Sequence, residues 1–293
     1  MGWRSVWVWR LAAPAVLALT ALALAGFGGR AAPSGPRVSD LPGSRTADVL
    51  DVDVELVLAV DISYSMDPDE LALQRDGYVE ALTSPEFLTA LRNGMHGRVS
   101  VTYVEWAGVI DQKIVMPWRL IDGRASAEAV AAEISRAPQR RAYRTSISGA
   151  LTFTPPLFEE SGYRGVRRVI DISGDGTNNQ GPPVTLVRDE VVAKGITING
   201  LPIMLKRPNP STMDIPDLDL YYEDCVIGGP GAFVVPIRER EKFREAIRTK
   251  LVLEVAGLVP QPRLVPAAAE APRISCTIGE RMWQQRWGSG MDR

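Results

Sequence analysis

Residues 56–60, Leu-Val-Leu-Ala-Val, run straight into Asp61, Ile62, Ser63, Tyr64, Ser65, Met66 and Asp67. Five consecutive apolar residues have the length of a strand buried on both faces, the mark of a parallel sheet. Asp61, Ser63 and Ser65 then leave the strand end at i, i+2 and i+4, a spacing that points all three side chains the same way in extended chain. Their carboxylate and hydroxyl oxygens are hard ligands, suited to Mg²⁺, Mn²⁺ or Ca²⁺ and poorly suited to Zn²⁺. Asp67 as N-cap, Pro68 in the first turn and Glu70 closing a capping box start a helix at once. The pattern is strand, oxygen-rich turn, helix.

The rest of the chain repeats the alternation. Strands are predicted over 53–60, 98–105, 109–118, 168–172, 196–204 and 233–237. Helices are predicted over 68–82, 85–91, 127–137 (capped by Ser126), from Thr145 to the Pro155-Pro156 pair, 183–194 and 239–255. Strands alternating with helices build βαβ units. The expected architecture is α/β: a Rossmann-like, doubly wound, mainly parallel six-stranded sheet with one antiparallel edge strand, 109–118, and helices on both faces. Such sheets bind ligands beyond the C-terminal ends of their strands. A second oxygen-rich stretch, Ser173 to Asn179, follows the strand 168–172 and so occupies the same kind of position as Asp61 to Ser65.

With 45% apolar and 23% charged residues, 293 residues suffice for one large domain with tails. A net charge of −2 offers no basic excess to recruit nucleic acid, and the arginine clusters are interleaved with acids. Arg4 and Arg10 precede an apolar run from Leu11 to Ala25 that ends in Ala23-Leu24-Ala25, the form of a cleaved export signal. The rival reading is an uncleaved anchor, since the uncharged stretch to Gly29 is just long enough to span a bilayer; only then is a membrane association expected. The domain plan is signal 1–25, flexible lead-in 26–50, domain 51–257, Pro-rich linker 258–273 and a terminal segment 274–293 tethered to the domain. A periplasmic or secreted location would expose Cys225 and Cys276 to oxidising conditions, where a disulfide is the default and two buried thiols the alternative.

Asp-x-Ser-x-Ser after a first strand, a Thr opening a middle helix and an Asp-Gly after the fourth strand resemble the von Willebrand factor A family with its metal-ion-dependent adhesion site. Phrases such as Arg75-Asp76-Gly77-Tyr78, Tyr103 to Gly108 and Asn199-Gly200-Leu201-Pro202 look like an uncharacterised family of exported bacterial proteins with that fold. The resemblance implies metal ligands Asp61, Ser63, Ser65, Thr145 and Asp175, and one divalent cation, Mg²⁺ before Mn²⁺ or Ca²⁺. It also implies a partner protein that offers an Asp or Glu carboxylate. Tyr64 stands where the family often has Gly and puts a ring beside the ion. Glu105 is expected on the same rim as a surrounding or partner-facing group, or as a solvated acid. Asn178 is expected to brace the third loop, and Tyr221 and Tyr222 to shape the approach to the ion.

The sequence from Gly174 to Asn179 also looks like a loop of haloacid-dehalogenase-type phosphatases. Those enzymes need a second Asp two residues after the nucleophilic one, and this chain has Ser63 there. A metal-dependent hydrolase is therefore the secondary expectation, with Glu105 as the one general base in view. No Gly-x-Ser-x-Gly exists for a serine hydrolase, and the single histidine, His96, lies in a loop. Helix capping without metal accounts for Asp67 but not for the other oxygen-bearing residues together.

Overall fold

The computed structural model describes residues 49–205, 214–257 and 272–287. The export signal, nearly all of the lead-in and most of the Pro-rich linker read from the sequence lie outside the described residues. In chain order the elements are β1 (Leu50–Asp61), α1 (Pro68–Thr83), α2 (Pro85–Arg92), β2 (Val99–Trp106), β3 (Gln112–Ile121), α3 (Arg124–Arg136) and α4 (Ile147–Phe153). There follow α5 (Pro155–Glu159), β4 (Tyr163–Gly174), α6 (Val184–Ala193), β5 (Ile196–Pro202), α7 (Leu218–Tyr221), a π-helical turn (Tyr222–Val226), α8 (Phe243–Ala256) and α9 (Ile278–Trp287).

Among the described residues the sheet has five strands in the order β3-β2-β1-β4-β5. β1 pairs in parallel with β2 and β4, β4 in parallel with β5, and β3 closes one edge antiparallel to β2. β1 is central because both of its faces can be buried. Val54, Leu56, Leu58 and Val60 pack with Tyr78, Phe87, Ile134 and Phe243 on one side. Val57 and Ala59 pack with Ile147, Phe158, Val187 and Tyr222 on the other. After β1 the chain builds outward through β2 and β3, then crosses back to β4. The crevice beyond the ends of β1 and β4 is thus the switch point of the sheet.

The expected sixth strand, 233–237, is not a strand of the sheet. It runs beside β5 but meets it only at two isolated parallel bridges, Gly200 with Val234 and Ile203 with Ile237. Gly200 N–H donates to the Phe233 carbonyl and Ile237 N–H to that of Pro202. The intervening bond would need an N–H from Pro202, which has none, so the ladder breaks there. Ser126 is not the N-cap of α3 either. The helix starts at Arg124, and the Ser126 hydroxyl reaches back to accept from the amides of Asp122 and Gly123 at 3.0 and 3.1 Å.

Between β4 and α8 lies an ionic triad the sequence reading did not anticipate. Lys250 of α8 is 2.5 Å from Asp171 Oδ1 of β4 and 2.5 Å from Glu254 Oε1, and all three are buried. Asn199 Nδ2 donates to Glu254 Oε1 at 3.2 Å. Two carboxyls share one ammonium, so burial, and next the charge of Asp171, push the Glu254 carboxyl up from 4.5 to about 7. Its folded value lies above its unfolded one, so the folded state holds a proton that the unfolded chain releases. The stabilisation is complete below the unfolded value and is lost as pH rises through the folded one. Unfolding free energies from urea titration in chelator are expected to fall between pH 5 and 8, by up to about 3 kcal/mol. Glu254→Gln is expected to make that profile shallower; an unchanged slope would remove the triad as a contributor to it.

Candidate metal centre

Three loops meet at the switch point. Asp61 ends β1, and Gln74 Nε2 of α1 donates to its carbonyl at 3.1 Å. Its Oδ1 accepts from Ser63 N–H at 2.6 Å, which turns the chain sharply out of the strand. Ser63 Oγ lies 2.7 Å from Ser65 Oγ, and Ser65 Oγ donates to Asp175 Oδ1 at 2.6 Å. The first and third loops are therefore joined by a continuous run of oxygens. The second loop is fastened to both neighbours. Tyr64 N–H donates to the Ala142 carbonyl and Ala142 N–H to that of Ile62, each at 3.0 Å. Thr145 N–H donates to Asn179 Oδ1 at 3.1 Å, and Asn179 N–H to the Thr145 carbonyl at 2.9 Å. Asp61, Ser63, Thr145 and Asp175 are buried and Ser65 is half-buried.

The residues present fit a divalent cation. Asp61 Oδ2 is buried and has no hydrogen-bond partner, and neither has the buried hydroxyl of Tyr222. Both atoms face Gly174: a Cβ there would lie 2.8 Å from Asp61 Oδ2 and 3.0 Å from Tyr222 Oη. Glycine keeps that space clear. Burial raises the Asp61 carboxyl well above the usual range, and the next contributor is the like charge of Asp175. Burial, followed by the charge of Asp61, pushes the Tyr222 phenol up as well. Two buried carboxyl groups thus stand together with hydroxyls and a phenol, a set of hard oxygen donors that suits a divalent cation. Among the described residues no group of three or more His, Cys, Asp or Glu could hold a metal, so a site here draws on hydroxyls.

The other expected site residues fall in varied places. Tyr64 is exposed beside Ser63 and Ser65, with its ring 4.4 Å from that of Tyr143. Arg141 covers its face at 4.6 Å while donating to the carbonyls of Tyr64 and Met66 at 2.9 and 2.6 Å. Glu105 is not a solvated rim acid. It is buried, 2.8 Å from Arg75 and 3.7 Å from Arg140. Burial raises its carboxyl and Arg75 opposes the shift. Tyr221 and Tyr222 lie under the site rather than on its rim, both fully buried. The connection that carries them coils into α7 and a π-helical turn, which places Tyr222 against Gly174.

Asn178 is at the centre of the third loop's bracing. Its Oδ1 accepts from Ser148 N–H at 3.0 Å and Ser148 Oγ at 3.1 Å, and its own N–H donates to Tyr221 Oη at 3.2 Å. Its Nδ2 donates to Glu280 Oε1 of α9 at 2.7 Å. Cys225 and Cys276 form a disulfide across a separation of 51 residues. The chain-entropy model values such a closure at about 4 kcal/mol. Gln74 and Tyr222 as a buried neighbour of Asp61 escaped the sequence reading, whereas the terminal element expected over 274–287 is present as α9. A glutamine one helical turn past a capping box was the single available hint, for Gln74.

Among the described residues no helix is long and apolar enough to cross a membrane. A family model described as "Protein of unknown function (DUF1194)" matches residues 51–259. No curated protein matches the sequence. Among solved structures, proximal thread matrix protein 1 from the mussel byssus gives a TM-score of 0.51 at 15% identity, over 71% of this chain and 49% of that one. A second structure of that protein, described with a zinc-occupied MIDAS motif, gives 0.50 at 17% identity over the same shares. A von Willebrand factor type A structure from Catenulispora acidiphila gives 0.47 at 15% identity, over 71% of this chain and 43% of that one. This chain spans about half the length of the mussel protein it matches, 49%. The likeness to the two mussel structures, with the strand order, shows the von Willebrand factor A fold.

Proposed function

This chain belongs to the family described as "Protein of unknown function (DUF1194)", and we propose that it is a non-enzymatic, divalent-cation-dependent protein-binding module. The observation that carries the reading is the buried, unpartnered Asp61 Oδ2 beside the Ser63–Ser65–Asp175 run of oxygens. Asp61, Ser63, Ser65, Thr145 and Asp175 would hold the ion, with Mg²⁺ first and Mn²⁺ or Ca²⁺ next. The zinc in the mussel protein's motif supports a divalent ion in such a site. When bound, the ion would supply an electrophilic position that a carboxylate of a partner protein can fill. The exposed Tyr64–Tyr143 pair would flank that carboxylate, since rigid aromatic rings contribute contact area at low entropic cost. A hydrolase would need a base facing the site, whereas Glu105 is held between Arg75 and Arg140. Export through the N-terminal signal, to the periplasm or beyond, belongs to the same reading.

Calorimetric titration of the exported chain with Mg²⁺ and Mn²⁺ is expected to show one site, severely weakened in Asp175→Ala. Chelation is expected to leave the fold intact, because none of the proposed ligands belongs to either apolar core. Pull-down from the exported fraction should capture a partner only with metal present, and Thr145→Ala should weaken capture without lowering the melting temperature. Capture that resists chelator, or equal metal affinity in wild type and Asp175→Ala, would overturn the reading.

A further inference from the structure

The segment 272–287 lies beyond the family match, which ends at residue 259. It nevertheless enters the walls of the metal centre. Gly279, in the first turn of α9, is buried against the third loop so closely that any Cβ there would overlap the Asn178 carbonyl oxygen and Thr177 Oγ1. Backbone meets backbone at that point, two to three residues beyond Asp175. Glu280 accepts from Asn178 Nδ2 at 2.7 Å, and its other carboxylate oxygen is buried without a hydrogen-bond partner. Trp283, one turn further along α9, receives the Arg144 guanidinium 3.1 Å from its ring centroid. Arg144 directly precedes Thr145 and has φ 79°, a left-handed conformation costly for a residue with a side chain. The stacking on Trp283 holds it there. Finally, the Cys225–Cys276 disulfide ties the start of the segment to the π-helical turn that places Tyr222 against Gly174.

Four contacts of one short segment therefore bear on three walls: Gly279 and Glu280 on the third loop, Trp283 on the second through Arg144, and Cys276 on the floor through Cys225. We infer that the disulfide-tethered segment is a positioning element of the metal centre, and that its seating of Gly279 on the third loop sets the affinity for the cation. The inference rests on the metal-centre reading given above. Asp175 and Thr145 sit on loops that are not held by regular structure, and a loop free to sample other conformations binds an ion more weakly by the fraction of time it is competent. The segment contributes no ligand of its own. Its effect is on the population of the competent loop.

Gly279→Ala in the full chain tests this with the disulfide and both cores untouched, and a Cys225→Ala/Cys276→Ala pair releases the same segment by another route. Two readouts are taken on each: Mn²⁺ affinity by calorimetry, and hydrogen exchange of residues 175–181 in chelator. The expected result is faster exchange over 175–181 in both variants and Mn²⁺ binding at least ten-fold weaker, with the far-ultraviolet spectrum unchanged. Unchanged exchange over 175–181 in Gly279→Ala would overturn the seating, whatever the metal does. Faster exchange with wild-type Mn²⁺ affinity would overturn the coupling. If the wild-type chain binds no Mn²⁺ at all, the metal-centre reading fails and the coupling with it, while the exchange data still decide whether the segment holds the loop.

Discussion

In chelator, Asp61→Asn is expected to melt above the wild type, and to lose the further stabilisation that Mg²⁺ or Mn²⁺ gives the wild type. Asn has the shape of Asp, so its Oδ1 can keep the 2.6 Å bond from Ser63 N–H. Its amide would stand where Asp61 Oδ2 now lies without a partner, close to the equally unpartnered Tyr222 hydroxyl. One buried negative charge is removed beside the like charge of Asp175. An unpartnered buried polar group costs about 1–3 kcal/mol, and a gain near 2 kcal/mol corresponds to roughly 4–8 °C at this size. Because the Asp61 carboxyl is raised by burial and by Asp175, it is neutral at low pH and its cost grows as pH rises. The advantage of Asn should therefore be larger at pH 8 than at pH 5. Saturating metal at about one hundred times its dissociation constant adds about 2.7 kcal/mol to the wild type. A variant that is less stable than wild type in chelator, or that keeps the full metal response, would refute the account of Asp61.

What the sequence discloses here follows from how local each feature is. The run 56–60 and the oxygens at 61, 63 and 65 are adjacent in the chain, so strand, turn and helix can be read together. The loop from Ser173 to Asn179 is legible for the same reason. The sheet's strand count was not, because the decisive fact was the missing N–H of Pro202 on the neighbouring strand rather than anything in 233–237. Glu105 stands at a strand end, where an acid is ordinarily solvated; its partners Arg75 and Arg140 come from a distant helix and a distant loop. Tyr221 and Tyr222 sit in a Pro- and acid-rich connection whose composition suggests surface, yet a π-helical turn rolls them into the core. Gly279 gives no signal at all, since its importance is a contact with a carbonyl one hundred residues earlier. The triad around Lys250 did leave a trace. An Asp inside Val169-Ile170-Asp171-Ile172 requires a cation, and Lys250 with Glu254 flanks the apolar stripe of α8 at i and i+4.

Lys250→Met is expected to be the most damaging single change outside the apolar core. Met matches the length of the lysine stem and lacks its charge, so packing is retained while Asp171 and Glu254 lose their shared cation. Removing one partner of a buried ionic group costs about 3–5 kcal/mol, because the remaining charges stay desolvated and unpaired. For a chain of this size that is a fall of roughly 6–20 °C. The loss should be smallest at low pH, where both carboxyls, already raised by burial, take up protons and become neutral. Joining Lys250→Met to Asp171→Asn and Glu254→Gln should restore most of the stability, since a neutral set leaves no charge to desolvate. Asp171 belongs to β4, the strand that delivers Asp175, so the same variants also separate scaffold from site. If the triad only stabilises the fold, the rise in melting temperature on adding Mn²⁺ is the same in Lys250→Met as in wild type. A variant that melts within a degree of wild type would show that the triad is not the buried, mutually dependent group described here.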